Sequence, residues 1–131
     1  MECLEFGVKS LKMDNKEFSR ELEKRTKKFA INIIKLSASL PNSPEAKVIR
    51  NQLTKSGTSI GANYREANRG RSKADFSNKI KICESEASET LYWIEIIADL
   101  NMIKKETIEV IDLEANELLA LFTTIGKSLK L

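Results

Sequence analysis

The stretch KETIEVIDLEANELLALFTTIGKSL, residues 105–129, carries apolar side chains at Ile108, Ile111, Ala115, Leu118, Phe122, Ile125 and Leu129. The spacings alternate between three and four. That is the period of a helix burying one face, and no two-residue strand alternation competes with it. A helix is therefore expected from about Lys105 to Leu129. Working back along the chain, Asn101 is a plausible C-terminal cap for a preceding helix. That helix has an inner stripe of Phe76, Ile80, Cys83, Ala87, Thr90, Ile94 and Ile97. Its start is marked by Ser72 as N-cap, with Asp75 three residues on as the reciprocal carboxylate.

Gly70, in the break Asn68-Arg69-Gly70-Arg71, is expected to supply a left-handed residue ending the helix before it. This second helix restarts at Ser43-Pro44, a capping hydroxyl followed by proline at the first helical position. Its stripe reads Ile49, Leu53, Ser56, Ile60, Asn63 and Ala67. Gly57 and Gly61 lie alongside. Each costs roughly 1 kcal/mol of helix propensity, so close packing against a neighbour is expected there. The first helix spans about 16–40 on Phe18, Leu22, Phe29, Ile33, Leu36 and Leu40, and Pro41 stops it. Three short connections make neighbours antiparallel. The expected fold is all-α, an antiparallel up-down-up-down four-helix bundle over 16–131 behind a tail at 1–15.

The 131 residues suffice for one domain with its own core. Hydrophobic residues make up 41% and charged residues 31%, which excludes a disordered chain. No run approaches the roughly 18 apolar residues of a membrane span, and Met1-Glu2-Cys3-Leu4-Glu5-Phe6 is no signal peptide. Cys83 sits on an apolar stripe, as a small buried thiol would, and a disulfide with Cys3 is not expected. A cytoplasmic location follows.

The chain has no histidine. This removes Ser-His and Cys-His nucleophile activation and the Glu-x-x-His motif of di-iron bundles. Glu66, Glu84, Glu86 and Glu89 are better suited to ion pairs than to a hard cation. No phosphate loop or dinucleotide motif is present, because Gly57 and Gly61 lie inside a helix. No catalytic, cofactor or metal site is expected, and no enzyme.

The net charge of +3 is unevenly spread. Residues 45–71 hold six basic groups against two acidic, while 72–100 hold three against six. Arg65, Arg69, Arg71 and Lys73, with Lys55 further up the second helix, form a candidate polyanion face that would bind RNA or DNA. Tyr64 could stack on a base there. The lysine-rich start of the first helix, around Lys24, Arg25, Lys27 and Lys28, is the alternative site.

A structural reading competes for the same segment. Gly61, Asn63, Glu66, Ser72, Asp75 and Phe76 would form a helix corner held by hydrogen bonds, with Asn63 and Glu66 largely buried near the 72–76 helix start. A second stripe on the third helix holds Ile82, Glu86, Glu89, Trp93 and Ile96. It is expected to be an oligomer interface, since a lone bundle would leave Trp93 and Ile96 wet. The other reading makes it the edge of a wide core face.

Several of these residues carry a resemblance: Leu40-Pro41, Gln52-Leu53, Ser59-Ile60-Gly61-Ala62-Asn63-Tyr64-Arg65-Glu66-Ala67, Ser72, Asp75-Phe76, Ile82, Glu86-Ala87, Glu89-Thr90 and Tyr92-Trp93. Over roughly residues 25–125 the chain resembles the four-helix-bundle proteins encoded in intervening sequences of bacterial 23S ribosomal RNA genes. It is similar also to the accessory variability-determinant proteins of diversity-generating retroelements. The resemblance implies a homopentameric barrel of bundles. In the retroelement branch it implies binding to nucleic acid and to a reverse transcriptase. Two functions follow as expectations: a non-enzymatic oligomeric scaffold associated with nucleic acid, or a protein–protein interaction module without it.

Overall fold

The computed structural model describes residues 15–129. Four helices follow one another: α1 Asn15–Ala38, α2 Pro44–Asn68, α3 Lys73–Asp99 and α4 Lys105–Ser128. Among the described residues there is no strand. Each helix packs on its neighbours in sequence, and α1 also meets α4, which closes an up-down-up-down bundle. The α1–α4 seam is the most open of the four. The tail expected at 1–15 lies outside the described residues up to position 14; α1 begins at Asn15, one residue before the expected boundary.

The helix ends follow local chemistry. Ser43 Oγ accepts from the Ala46 N–H at 3.1 Å, and Pro44 opens α2 without a wasted donor. Ser72 Oγ accepts from the Asp75 N–H at 3.1 Å and opens α3. At the far end of α3, Asn101 takes the left-handed conformation, φ 52°. The Asn101 N–H reaches the Ala98 carbonyl at 3.1 Å and the Met102 N–H reaches the Ile97 carbonyl at 3.2 Å. This is the Schellman closure, with asparagine in the position glycine usually takes. α1 ends two residues before Leu40, its last turn tightening through Ser39 N–H to Leu36 O and Leu40 N–H to Ser37 O.

Gly70 corrects the expectation set for it, because no glycine among the described residues has a positive φ. α2 instead ends in a tightened turn, Arg69 N–H to Glu66 O and Gly70 N–H to Ala67 O, each at 3.0 Å. Glycine serves here for space. A Cβ at 70 would lie 3.1 Å from the Ala67 carbonyl oxygen and 3.3 Å from Asp75 Cβ.

The stripes read from periodicity form the core, with one shift of phase on α2. Leu22, Phe29, Ile33, Leu36, Leu53, Ile60, Ile80, Cys83, Ala87, Ile94, Ile97, Leu118 and Phe122 are all buried. On α2 the inner position is Tyr64, not Asn63. The Tyr64 ring meets Phe122 edge-on with centroids 5.5 Å apart, across the bundle. Small residues do bring α1 and α2 together as expected. A Cβ at 57 would fall 2.6 Å from Ile33 Cγ2, and one at 61 would fall 3.1 Å from Thr26 Oγ1.

Buried serine and threonine hydroxyls other than that of Ser37 are matched, within a helix or across the α2–α3 contact. Thr26 Oγ1 donates to the Leu22 carbonyl at 2.9 Å, and Thr90 Oγ1 lies 2.7 Å from Glu86 O and 3.0 Å from Ser56 Oγ. Ser37 Oγ is the buried side-chain oxygen left without a partner among the described residues.

Candidate nucleic-acid interface

The corner 69–72 joins two antiparallel helices, so the last turn of α2 and the first turn of α3 lie side by side. Their cations converge there because the chain reverses over four residues. Arg69, Arg71 and Lys73 are exposed, and none forms an ion pair among the described residues. Arg65, one turn up α2, sits 3.6 Å from Glu23 of α1. Glu23 is fixed from its other oxygen by Asn68 Nδ2 at 2.8 Å. Lys79 of α3 donates to Glu66 at 3.0 Å.

Two concavities meet at this end. A groove of about 400 Å³ runs between α1 and α2, with Lys27, Gly61, Ala62, Arg65 and Arg69 among its lining. A trough of about 500 Å³ continues around the corner past Arg69, Gly70, Arg71 and Lys79. The two share Glu66 and Arg69. Lys55 is not brought to this site. It lies fourteen residues before Arg69, roughly 21 Å along the helix at 1.5 Å per residue. Its charge is felt instead at Glu86. The corner gains Lys79 and Lys27, which only the spatial return of α3 and α1 could reveal. Arg25, from the alternative basic site, is consumed elsewhere: it holds Glu114 at 2.7 Å and Glu117 at 2.6 Å across the α1–α4 seam.

Three expectations for the segment are corrected. Tyr64 is buried and cannot stack on a base. Asn63 is half-buried, and its amide donates to the Ser59 carbonyl at 2.8 Å within its own helix rather than to α3. Glu66 is exposed rather than buried, its side chain 61% accessible, and it meets Lys79 of α3 at the surface of the corner. Gly61 and Ser72 take the packing and capping places read from sequence. Phe76 packs half-buried against the core, and Asp75 is exposed.

The second stripe of α3 divides. Trp93 and Ile96 are half-buried and packed on the core, so the bundle covers them more than expected. Ile82 stays 40% exposed, Tyr92 56% and Leu100 58%. The Trp93 indole donates to Glu89 at 3.2 Å, and Tyr92 packs against it edge-on at 5.0 Å. Burial pushes the Glu86 carboxyl above its usual range, the charge of Glu89 adds to this, and Lys55 opposes it.

Among the described residues no cluster of His, Cys, Asp or Glu could hold a metal ion. The four glutamates weighed for a cation do not converge: Glu84 is held by Thr123 at 2.6 Å and Glu66 by Lys79. No described helix is long and apolar enough to cross a membrane.

Fold and surface define a class: an all-α, up-down-up-down bundle with cation-lined concavities at one end. The chain belongs to the 23S rRNA-intervening sequence protein family, whose model matches residues 19–124. It is similar to the crystal structure of a protein of unknown function from the S23 ribosomal protein family of Bacteroides thetaiotaomicron VPI-5482. The two are 39% identical with a TM-score of 0.75, over 80% of this chain and 97% of that one. No curated protein matches the chain.

Proposed function

We propose that the chain is a non-enzymatic, self-associating helical scaffold that holds nucleic-acid phosphates at the α2–α3 corner. The observation that carries the reading is the unpaired charge there. Arg69, Arg71 and Lys73 surround a reversal of the chain and form no ion pair among the described residues, with Asp75 and Glu66 sharing the trough. The N-terminus of α3 adds partial positive charge from its unpaired N–H groups. Self-association rests on the exposed apolar groups of α3, and the family resemblance supports a homopentamer. A ring would repeat the corner around its axis and combine weak sites by avidity, which offsets a net charge of only +3 per chain.

The test is a salt titration of RNA and duplex DNA binding by wild type and an Arg65/Arg69/Arg71→Ala variant. Phosphate contacts release counterions, so affinity should fall steeply with salt. The variant should bind weakly and show a shallower slope. Unchanged binding by the variant would move the site elsewhere.

Exposed Ile82, Tyr92 and Leu100 favour a second reading, a module that binds another protein. On the sequence resemblance to retroelement accessory proteins, we propose a reverse transcriptase as one such partner. No nucleic-acid binding at low salt would leave this reading in place.

A further inference from the structure

The polyanion reading uses only the arginines at the rim of the groove between α1 and α2, and the small-residue floor has a shape that phosphate contact does not need. Its lining combines small side chains with charge. Gly61 carries α2 to within van der Waals contact of the Thr26 backbone, since a Cβ there would lie 3.3 Å from the Thr26 carbonyl carbon. Ala30 and Ala62 flank this crossing and leave a notch of about 400 Å³ above it. Lys27 and Arg69 stand at the notch with no ion pair among the described residues. The two acids of the lining are already matched, Glu23 by Asn68 and Arg65, Glu66 by Lys79.

We infer that this groove is a base-binding subsite, which makes the corner selective for single-stranded nucleic acid. The inference rests on the polyanion reading above. A duplex keeps its bases stacked inside and offers a convex phosphate surface, so it can touch the rim but cannot fill the notch. A single strand can splay a base onto the small-residue floor, beside an arginine plane, while its phosphates meet Lys27 and Arg69. The trough past Arg71 and Lys79 continues the cationic track for the adjoining phosphates.

Glu23 gives the subsite a preference among bases. Each carboxylate oxygen has two lone pairs, so the contacts with Asn68 and Arg65 leave acceptor capacity. The exocyclic amino group of cytosine or adenine can donate to it, as carboxylates accept from cytosine in direct readout. Thymine and uracil offer no amino group. An acidic peptide meets the same cations but brings carboxylates against Glu23 and Glu66.

The experiment measures fluorescence anisotropy of labelled oligo(dC), oligo(dT) and a duplex of equal length at low salt. Wild type is compared with Ala62→Leu. Ala62 is exposed, so the leucine fills the notch without entering the core, and an unchanged melting curve checks this. Wild type should bind oligo(dC) about tenfold more tightly than oligo(dT) or the duplex, the scale of one hydrogen bond to a charged group. Ala62→Leu should abolish that preference and leave duplex binding unchanged. Equal wild-type affinity for single strand and duplex, or an oligo(dC) preference that survives Ala62→Leu, would overturn the subsite while leaving the polyanion reading intact. Equal competition by polyglutamate would overturn the base assignment. No binding to any of the three would overturn both readings.

Discussion

At the scale of single residues, packing makes opposite predictions for two glycines, Gly57 at the α1–α2 contact and Gly126 on α4 facing α3. A Cβ at 57 would meet Ile33 at Cγ2, 2.6 Å, and at Cγ1, 2.9 Å. Ile33 is β-branched and held to one helical rotamer, so it cannot swing aside cheaply. Gly57→Ala should destabilise the fold by about 1–2 kcal/mol, overpacking outweighing the gain in helix propensity. A Cβ at 126 meets only Ile80 Cγ2 at 3.9 Å, an ordinary contact. Gly126→Ala should therefore stabilise by about 0.5–1 kcal/mol in a urea melt. Cys83 supplies a third test. Burial pushes its thiol up to about 12. The folded state then keeps the proton longer than the unfolded state, so the stability this group contributes falls as pH rises from the ordinary thiol range towards that value. In a Cys3→Ser variant, a thiol reagent at pH 8 should label nothing until denaturant is added. Prompt labelling of the native protein would contradict the buried placement. The choice between Asn63 and Tyr64 shows what residue-level reading lacks. After Ile60 the inner position can recur three or four residues on, and both spacings suit a helix. What decides is Phe122, lying 5.5 Å from the Tyr64 ring on a helix more than fifty residues away.

At the scale of helices, the boundaries were legible because their signals are local. Ser43-Pro44, Ser72 and Asn101 each act within one turn of where they sit. The α1–α4 seam was not legible, because its bond joins positions 89 and 92 residues apart. Arg25 grips Glu114 in a fork and reaches Glu117, whose side chain is only 6% accessible. These hydrogen bonds and charges raise the Arg25 guanidinium above its usual range, Glu114 contributing most, against the cost of burial. In the sequence Glu117 is one more acidic residue beside an apolar stripe, and nothing marks it as inward. Arg25→Ala should cost about 1–3 kcal/mol, because it leaves the buried Glu117 carboxylate without its partner. Arg25→Met with Glu117→Leu should recover most of that loss in a thermal melt. If the double variant is no better than the single, the cost comes from packing and not from the orphaned charge.

At the scale of the whole molecule, exposed apolar side chains occur on every helix, Ile31, Val48 and Val110 among them. The chain reversal brings Arg69, Arg71 and Lys73, which form no ion pair among the described residues, to the α2–α3 corner. Exposed Ile82, Tyr92 and Leu100 lie along α3 with the Glu86–Glu89 pair. Composition showed the charge imbalance, but the site itself depends on which helices return to the corner, and the concavities there exist only once α1 packs on α2. The central claim is that the α3 surface is covered by further copies of the chain, so that the corner acts as a repeated site. Light scattering on purified protein tests it most directly, comparing wild type with Trp93→Asp and with Ile82→Asp. The second variant alters a position already 40% exposed, so it spares the core. Wild type should weigh five chains, and both variants should give smaller, still helical particles. A wild type with the mass of one chain would contradict the account.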